Sequence, residues 1–501
     1  MRSKIILLTM ATVTALVTLD ATIVGVALPS IAQSLHATFA DVEWVIGGYV
    51  LCFASLLTPV GVWGDHRGRR GAVLIGVSLF AIASLLCGIA TTAAMLIAAR
   101  VLQAIGAAFL PPAGLGIIGD TFRGADRARA FGIWGSVLGL AIISGPIVGG
   151  IVTSLWGWRW TFLINIPICV ALIVATMRWV PDSRNPQATR YDVAGSLTFC
   201  AALFLLTWAL IDPHEVVWRV GGAVAMLAAF ITIERRQQSP MLDLSLFGRP
   251  AFLGAVVAML GYAAAAQVLI YFLPLYLQNG FGYSPMMCGM AMLPFAVPLF
   301  VMPRLGARAS VRYGNRAVLA GGLTIVALGD VCLGYTAPLL SYPWFAVAMA
   351  ITGIGAGLLN GETAQTLQST IPPERGGMIG GLSATVRFTG ILLAVALLGV
   401  ILSHVAAHDF ALRAARAMVS VDGTTIVRRV IAGDRTGALH QVAPALRALI
   451  TTMARSSVAT GITWLMISAA VVAAVSAILV RRLLPARAMM PARSGDMIVI
   501  D

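Results

Sequence analysis

Three ionisable side chains lie inside long apolar runs, where a charge is costly. Asp20 lies deep in the first run, and Arg100 and Glu362 lie in two later ones. An ionised side chain in hydrocarbon costs roughly 2.5–3.5 kcal/mol on insertion scales, so it needs a cavity, a partner or a proton. We predict that these three residues couple protons or bind a substrate cation. The alternatives are a structural ion pair between Asp20 and Arg100, and a Glu362 that is simply solvated.

Further polar residues are expected to line a cavity beside them. These are Gln103, Gln278, Asn360 and Arg387. Gln103 follows Arg100 by about one helical turn, so both side chains can face the same side. Asn360 belongs to a polar cluster around Glu362, which indicates a water-lined face. For Arg387 a structural role is the favoured interpretation.

The composition is that of a membrane protein. Of 501 residues, 59% are hydrophobic and only 11% are charged, whereas soluble domains carry about 25% charged residues. Apolar runs of about 20 residues recur along the chain, and each is long enough to cross a bilayer as a helix. The sequence therefore predicts an all-α polytopic membrane protein with about fourteen spans.

The net charge of +14 comes mostly from arginines in short loops between the runs. Basic loops mark the cytoplasmic side of a membrane protein, and no basic soluble domain is present that would bind a nucleic acid. The loop charges alternate along the chain, which predicts that both termini lie in the cytoplasm. Asp41 and Glu43 are assigned to the first external loop.

The chain divides into two halves and an insertion. Residues 1–185 and 241–501 are predicted six-helix bundles, and residues 186–240 contribute two inserted spans. Residues 311–316 echo residues 65–70, a weak internal repeat that is typical of transporters. Residues 406–457 are predicted to form an external segment with amphipathic helices at 411–419 and 443–453. This segment is interpreted as a solvated cap, or as the contact surface of a periplasmic adaptor protein.

Other kinds of chemistry have little support in the sequence. The six cysteines are isolated within apolar runs, and neither they nor the histidines have metal-ligand spacing. No Walker loop is present, so ATP is not the expected energy source. We find no catalytic cluster, and we therefore predict a protein that is not an enzyme and that has no metal or cofactor.

One span is rich in glycine and contains a proline. The residues are Gly135, Gly139, Gly145, Pro146, Gly149 and Gly150. Small residues let helices approach closely, and proline bends a helix. This pattern predicts close packing of the span against a partner helix.

Five stretches, at residues 19–29, 61–70, 100–108, 135–150 and 275–285, resemble motifs of the major facilitator superfamily. More narrowly, they resemble the fourteen-span drug:proton antiporter branch. Trp63 stands where Leu is usual, and Gly25 replaces the usual Asn. The resemblance covers nearly the whole chain and implies the major facilitator fold, with two six-helix bundles plus two extra helices.

The resemblance also assigns a mechanical role to the charged loop after the second span. Its residues, with one partner, form a cytoplasmic latch made of Gly61, Asp65, Gly68, Arg69, Arg70 and Asp120. Arg69 is expected to pair with Asp120, while Asp65 is expected to meet a helix of the second half. Such a latch would hold the outward-facing state.

The resemblance implies proton-coupled antiport that exports lipophilic or cationic drugs across the bacterial inner membrane by alternating access, with the proton gradient as energy source. The alternative is a narrow-specificity exporter of one metabolite, toxin or amino acid. Several apolar side chains either line a promiscuous drug pocket or serve lipid contact and core packing. They are Trp134, Met259, Tyr262, Tyr271 and Phe295.

Overall fold

The computed structural model describes residues 2–122, 124–184, 192–211, 215–237, 244–370, 376–419, 423–432 and 446–485, and its regular elements are all helices. In chain order the α-helices are α1 (Arg2–Leu35), α2 (Phe39–Arg67), α3 (Arg69–Gly88), α4 (Ala93–Ala108), α5 (Leu110–Thr121), α6 (Gly124–Trp156), α7 (Trp160–Leu163), α8 (Asn165–Trp179), α9 (Val193–Ile211), α10 (Val216–Arg236), α11 (Pro250–Tyr262), α12 (Leu269–Asn279), α13 (Pro285–Ala291), α14 (Leu293–Tyr313), α15 (Asn315–Thr336), α16 (Tyr342–Ser369), α17 (Gly376–Arg416), α18 (Gly423–Ala432) and α19 (Arg447–Leu483). A π-helical turn, Ala263–Gln267, joins α11 to α12.

The number of possible spans agrees with the prediction. Twelve helical segments of the described chain are long and apolar enough to cross a membrane, and two bent pairs raise the total to 14 if each pair is one span. One bent pair lies within α6, and α13 with α14 forms the other. The protein is therefore an all-α polytopic membrane protein.

Two tight turns relate the halves to each other. Gly68 separates α2 from α3 with φ of 122°, and Gly314 separates α14 from α15 with φ of 84°. Both lie in the positive-φ region that glycine adopts readily and other residues avoid. The sequence echo between residues 65–70 and 311–316 therefore corresponds to a repeated helix–turn–helix unit.

The inserted helices α9 and α10 pack on each other and beside the junction of the halves. Helix α9 contacts α2 of the first half and α17 of the second. Within the halves, α1 packs against α6, α3 against α4, and α16 against both α14 and α15.

The halves meet from the middle of the spans to one end of the bundle. We call the end that carries residues 65–70 the basic end, and the opposite one the far end. Gln278 Nε2 donates to the Val26 carbonyl at 2.7 Å, and the Met286 amide donates to Ser154 Oγ at 3.0 Å. Both contacts join the halves near the far end. The far end of the bundle is therefore closed in this conformation.

The segment 406–457 is more helical than the sequence predicted. Helix α17 continues to Arg416 and α19 begins at Arg447, so the predicted surface helices at 411–419 and 443–453 are largely the ends of these two long helices. The amphipathic helix is instead α18, which buries Val427 and Ile431. Residues 420–422 and 433–445 lie outside the described part of the chain.

Glu43 is not in an exposed loop, as the sequence had suggested. Thr38 and Asp41 form a capping box that starts α2 at Phe39, as such reciprocal bonds do at helix N-termini. Glu43 therefore lies one turn inside the helix, and only 5% of the residue is exposed.

Candidate functional site

Asp20 lies at the centre of a buried polar network in the first half. Its carboxylate accepts hydrogen bonds from Arg100 Nη1 at 2.6 Å, Asn165 Nδ2 at 2.8 Å and Gln103 Nε2 at 3.0 Å. Asp20 is fully buried and Arg100 is 2% exposed. A buried carboxylate needs such donors and an opposite charge, because an unpaired ion in this environment is strongly destabilising.

Arg100 is held by more than its ion pair. Its Nη1 also donates to Gln103 Oε1 at 2.5 Å, and its guanidinium lies 4.0 Å from the centre of the Tyr49 ring. An arginine stacked on an aromatic face gains a cation–π interaction. Arg100 would therefore keep two partners if Asp20 took up a proton, which lets the carboxyl change charge without leaving the cation isolated.

The helix that carries Asp20, α1, also packs on α12 of the second half. Gly25, one helical turn and a half beyond Asp20, lets α1 approach α12, because a Cβ there would lie 3.0 Å from the Ile270 carbonyl oxygen. The charge on Asp20 is thus placed next to the surface along which the halves meet.

The sequence identified part of this site. It predicted that Arg100 pairs with Asp20 and that Gln103 lies on the same side, and the structure brings all three together. It missed Asn165, Ser84 and Tyr49, which come from α8, α3 and α2. Asn165 is an amide inside an apolar span, which is the signal that was available. Ser84, which accepts a hydrogen bond from Gln103 at 2.9 Å, has no comparable signal.

Glu362 forms a separate cluster nearer the basic end. It is 2% exposed, so it is not a solvated side chain, and it accepts a hydrogen bond from Ser310 of α14. Asn315 donates to Thr366 at 3.1 Å one turn away. The cluster crosslinks α14, α15 and α16, and the proton or substrate role of Glu362 stays a prediction.

Two of the residues expected to line a cavity are engaged in other contacts. Gln103 is fully buried against Asp20, and Gln278 is 6% exposed and bonds across the halves. Arg387 donates to the Asn360 carbonyl at 3.1 Å, and both residues are half-buried.

The five apolar pocket candidates separate into two groups. Met259, Tyr262 and Phe295 are at most 1% exposed. Their burial agrees with the alternative that these side chains pack in the core. Trp134 and Tyr271 are half-buried.

The charged loop at the basic end is an ion-pair cluster within the first half. Arg69 bonds Asp65 at 2.6 Å and Asp120 at 2.5 Å, so the expected partnership of Arg69 and Asp120 is present. Asp65 pairs with Arg69 and not, among the described residues, with a helix of the second half. In a conformation closed at the far end, a partner from the other half is not expected at the basic end.

Neighbouring groups fix the geometry of this loop. Arg70 donates to the Met177 carbonyl at 2.5 Å. Gly61 faces Pro112, and Gly68 faces the carboxyl of Asp182.

The glycine-rich helix α6 packs on two sides. Gly145 and Gly149 face Thr22 and Ile23 of α1, whereas Gly139 and Gly150 face Phe300 and Pro285 of the second half; the Pro146 carbonyl lies against Gly289 of α13. Gly135 has open space beside it, so it does not belong to either packing face. The small residues therefore let α6 join the two halves as well as pack on α1, which extends the prediction of a single partner.

Metal-ligand clusters are not found in the described ranges. All six cysteines are free thiols, and no group of His, Cys, Asp and Glu residues there is arranged to hold a metal ion.

The chain is similar to known transporters over most of its length. The Major Facilitator Superfamily profile matches residues 10–395. The multidrug resistance protein Stp of Mycobacterium tuberculosis is 32% identical over 77% of this chain and 73% of that protein. The methylenomycin A resistance protein of Streptomyces coelicolor is 31% identical over 80% of this chain and 86% of that protein. The tetracenomycin C resistance and export protein of Streptomyces glaucescens is 32% identical over 79% and 75%.

The solved structures agree on the fold. A bacterial homologue of the human lysosomal transporter Spinster, in an inward-facing and occupied conformation, superposes with a TM-score of 0.68. The alignment covers 95% of this chain and 96% of that one at 18% identity. Family profile, relatives and fold agree: the chain belongs to the major facilitator superfamily.

Proposed function

We propose that this protein is a proton-coupled antiporter that exports lipophilic or cationic drugs across the bacterial inner membrane by alternating access. The observation that carries the proposal is the buried network of Asp20, Arg100, Gln103 and Asn165 beside the junction of the halves. In this protein Asp20 is the group that takes up and releases the coupling proton.

The environment of Asp20 explains how proton binding is linked to conformation. As a carboxylate it is held by Arg100 and two amides. A proton on Asp20 removes the charge that Arg100 pairs with, on the helix that packs against α12 of the second half. Two conformations that differ at this junction then bind the proton with different affinity, and this difference couples proton movement to conformation.

The orientation predicted from the loop charges indicates which transport state this conformation represents. If the basic end faces the cytoplasm, the closed far end faces outward and the structure is an inward-facing form. Substrate then enters from the cytoplasm, and the halves rock to open the far end, as in transporters built from repeated bundles. The Arg69–Asp120 pair lies on the side that must close during this step.

The relatives support a drug as substrate. One relative is named for multidrug resistance, and two are named for resistance to single antibiotics. The two single-compound names favour a second candidate, an exporter of one metabolite or toxin with the same mechanism.

Drug susceptibility of an efflux-deficient bacterial host separates these candidates. We expect expression of the protein to raise resistance to several unrelated lipophilic cations, and a protonophore to abolish the gain. Resistance to a single compound would support the narrow exporter, and unchanged sensitivity to every compound would contradict both.

Purified protein in liposomes of Escherichia coli lipid tests the energy source directly. An imposed pH gradient should drive ethidium against its concentration gradient. Asp20→Asn should abolish this accumulation. Asp409→Asn is the matched control, because Asp409 pairs with Arg413 at 2.6 Å outside the network. Ethidium movement that ignores the pH gradient would contradict proton coupling.

A further inference from the structure

Glu43 is another buried carboxyl, and it faces a cavity at the far end of the bundle. The cavity has a volume of about 500 Å³ and lies between α2, α9, α17 and α18. Its wall includes Phe39, Glu43, Leu210, Ser403, His404 and Arg428. None of these residues belongs to the Asp20 network, although Tyr49 of that network lies on the same helix as Glu43.

Glu43 is placed directly at the contact between the halves. It belongs to α2 of the first half, and its carboxyl lies against Gly399 of α17 in the second half. A Cβ at Gly399 would overlap Glu43 Oε1, and it would lie 3.5 Å from the Phe39 ring. The absence of a side chain at position 399 therefore leaves room for the carboxyl where it lies in this structure.

One carboxyl oxygen of Glu43 lacks a hydrogen bond. Oε1 is buried and has no hydrogen-bond partner among the described residues. This contrasts with Asp20, whose carboxylate accepts three hydrogen bonds. An ionised carboxylate with a buried oxygen that lacks a hydrogen bond is costly, whereas a neutral carboxyl at the same place costs less. The closed contact between α2 and α17 therefore suits a Glu43 that carries a proton.

The charges around the cavity favour the other state when the contact opens. Helix α18 contributes Arg428, which interacts electrostatically with Glu43, and Arg429; helix α17 contributes His404. Helix α9 contributes only apolar groups to the wall, and Asp41 of α2 is engaged in the helix cap. Hydrated and next to Arg428, the carboxyl is stabilised in its ionised form.

We propose that Glu43 is a second proton-binding site, at which a proton taken up from the far end closes the contact between α2 and α17. This proposal rests on the proposed function, because the proton that Glu43 binds takes part in the exchange of protons for drug. After substrate leaves at the far end, protonation of Glu43 favours return to the closed-far-end conformation described here. Asp20 and Glu43 then act on the same junction from different depths.

Accessibility of a cysteine in the cavity tests the proposal without any drug or proton gradient. Ser403 is 8% exposed and lines the cavity, so Ser403→Cys, in a background without the six native cysteines, reports opening of the contact. The probe is a membrane-impermeant maleimide added to right-side-out vesicles of E. coli lipid. Thr452→Cys, at an exposed site of α19, corrects for the pH dependence of the thiol itself.

We expect the corrected labelling rate to rise about fivefold or more between about pH 5.5 and pH 8.5, because Glu43 ionises and opens the contact. With Glu43→Gln, which stays neutral, labelling should stay low at every pH. Glu215→Gln is the matched control, since Glu215 is at the start of α10 and outside the cavity. A pH rise that survives Glu43→Gln would overturn the proposal.

Two further variants keep the test decisive if Glu43→Gln folds poorly. Gly399→Ala would displace the Glu43 carboxyl from its place against α17, so labelling should be high even at low pH. Arg428→Gln removes the cation that favours the ionised form, so the midpoint of opening should move to higher pH by about one unit. No change in either variant would contradict the role of Glu43. A normal pH response in a protein that moves no ethidium would contradict only the proposed function.

Discussion

Corresponding positions in the two halves carry very different chemistry. Ser84 lies 15 residues after the first residue of α3, and Asp330 lies 15 residues after the first residue of α15. Gln103 and Thr352 lie 10 residues into α4 and α16. Gln103 donates to Ser84 at 2.9 Å, and Thr352 donates to Asp330 at 3.2 Å. The repeat thus places one interhelical hydrogen bond in each half.

The two halves differ in whether a cation lies beside this hydrogen bond. Arg100 lies seven residues into α4, and the residue seven places into α16 is the fully buried Met349. Asp330 is fully buried as well, and its Oδ2 has no partner among the described residues. The first half therefore holds a buried ion pair, whereas the second half holds a carboxyl bonded to a neutral hydroxyl. Coupling is expected to be asymmetric between halves of the same fold.

The largest effect is expected from Arg100→Met, which gives the first half the residue of the second. Asp20 would lose its opposite charge, and breaking a buried pair on one side costs about 3–5 kcal/mol. We expect a large drop in thermal stability in detergent and loss of ethidium transport. In the double variant with Asp20→Asn much of the stability should return, since no unpaired ion remains. A double variant as unstable as Arg100→Met alone would mean that the loss comes from packing on Tyr49.

A smaller effect is expected from Asn165→Ala. The carboxylate of Asp20 would lose one of three donors but keep Arg100 and Gln103. Removing one partner of a buried hydrogen bond costs about 1–3 kcal/mol. Thermal unfolding should report a loss of this size, with transport reduced but still driven by the pH gradient. Complete uncoupling would show that Asn165 itself belongs to the proton path.

The smallest effect is expected from Asp330→Asn. The amide oxygen can still accept the bond from Thr352, so the stability should change by less than about 1 kcal/mol. We expect transport within about twofold of the unaltered protein, a difference of less than about 0.5 kcal/mol in the barrier. Loss of proton-driven transport in this variant would break the comparison, because the second half would then hold a coupling proton as well.

The helices and the pair of Asp20 and Arg100 could be predicted from the sequence for clear physical reasons. Long apolar runs between arginine-rich loops determine the spans, and a charge in such a run requires a partner, which led from Asp20 to Arg100. Asn165 and Tyr49 were not predicted, because the neighbours of Asp20 depend on which helices pack against α1.

Two carboxyls illustrate other limits of sequence reasoning. Glu43 was placed in a loop because hydropathy does not resolve where a helix begins, whereas the capping box of Thr38 and Asp41 does. Asp330 is an acid within an apolar run, so the sequence does carry a signal for it. Its neighbour Thr352 gives no signal of its own, since threonine is common in spans.

Asp20→Asn tests whether Asp20 carries the coupling proton. The amide has nearly the same shape and is still able to accept hydrogen bonds, but it cannot exchange a proton. In liposomes, we expect this variant to equilibrate ethidium down its gradient while an imposed pH gradient no longer drives accumulation, with Asp409→Asn behaving like the unaltered protein. If Asp20→Asn accumulates ethidium in response to the pH gradient at the unaltered rate, Asp20 is not the coupling site.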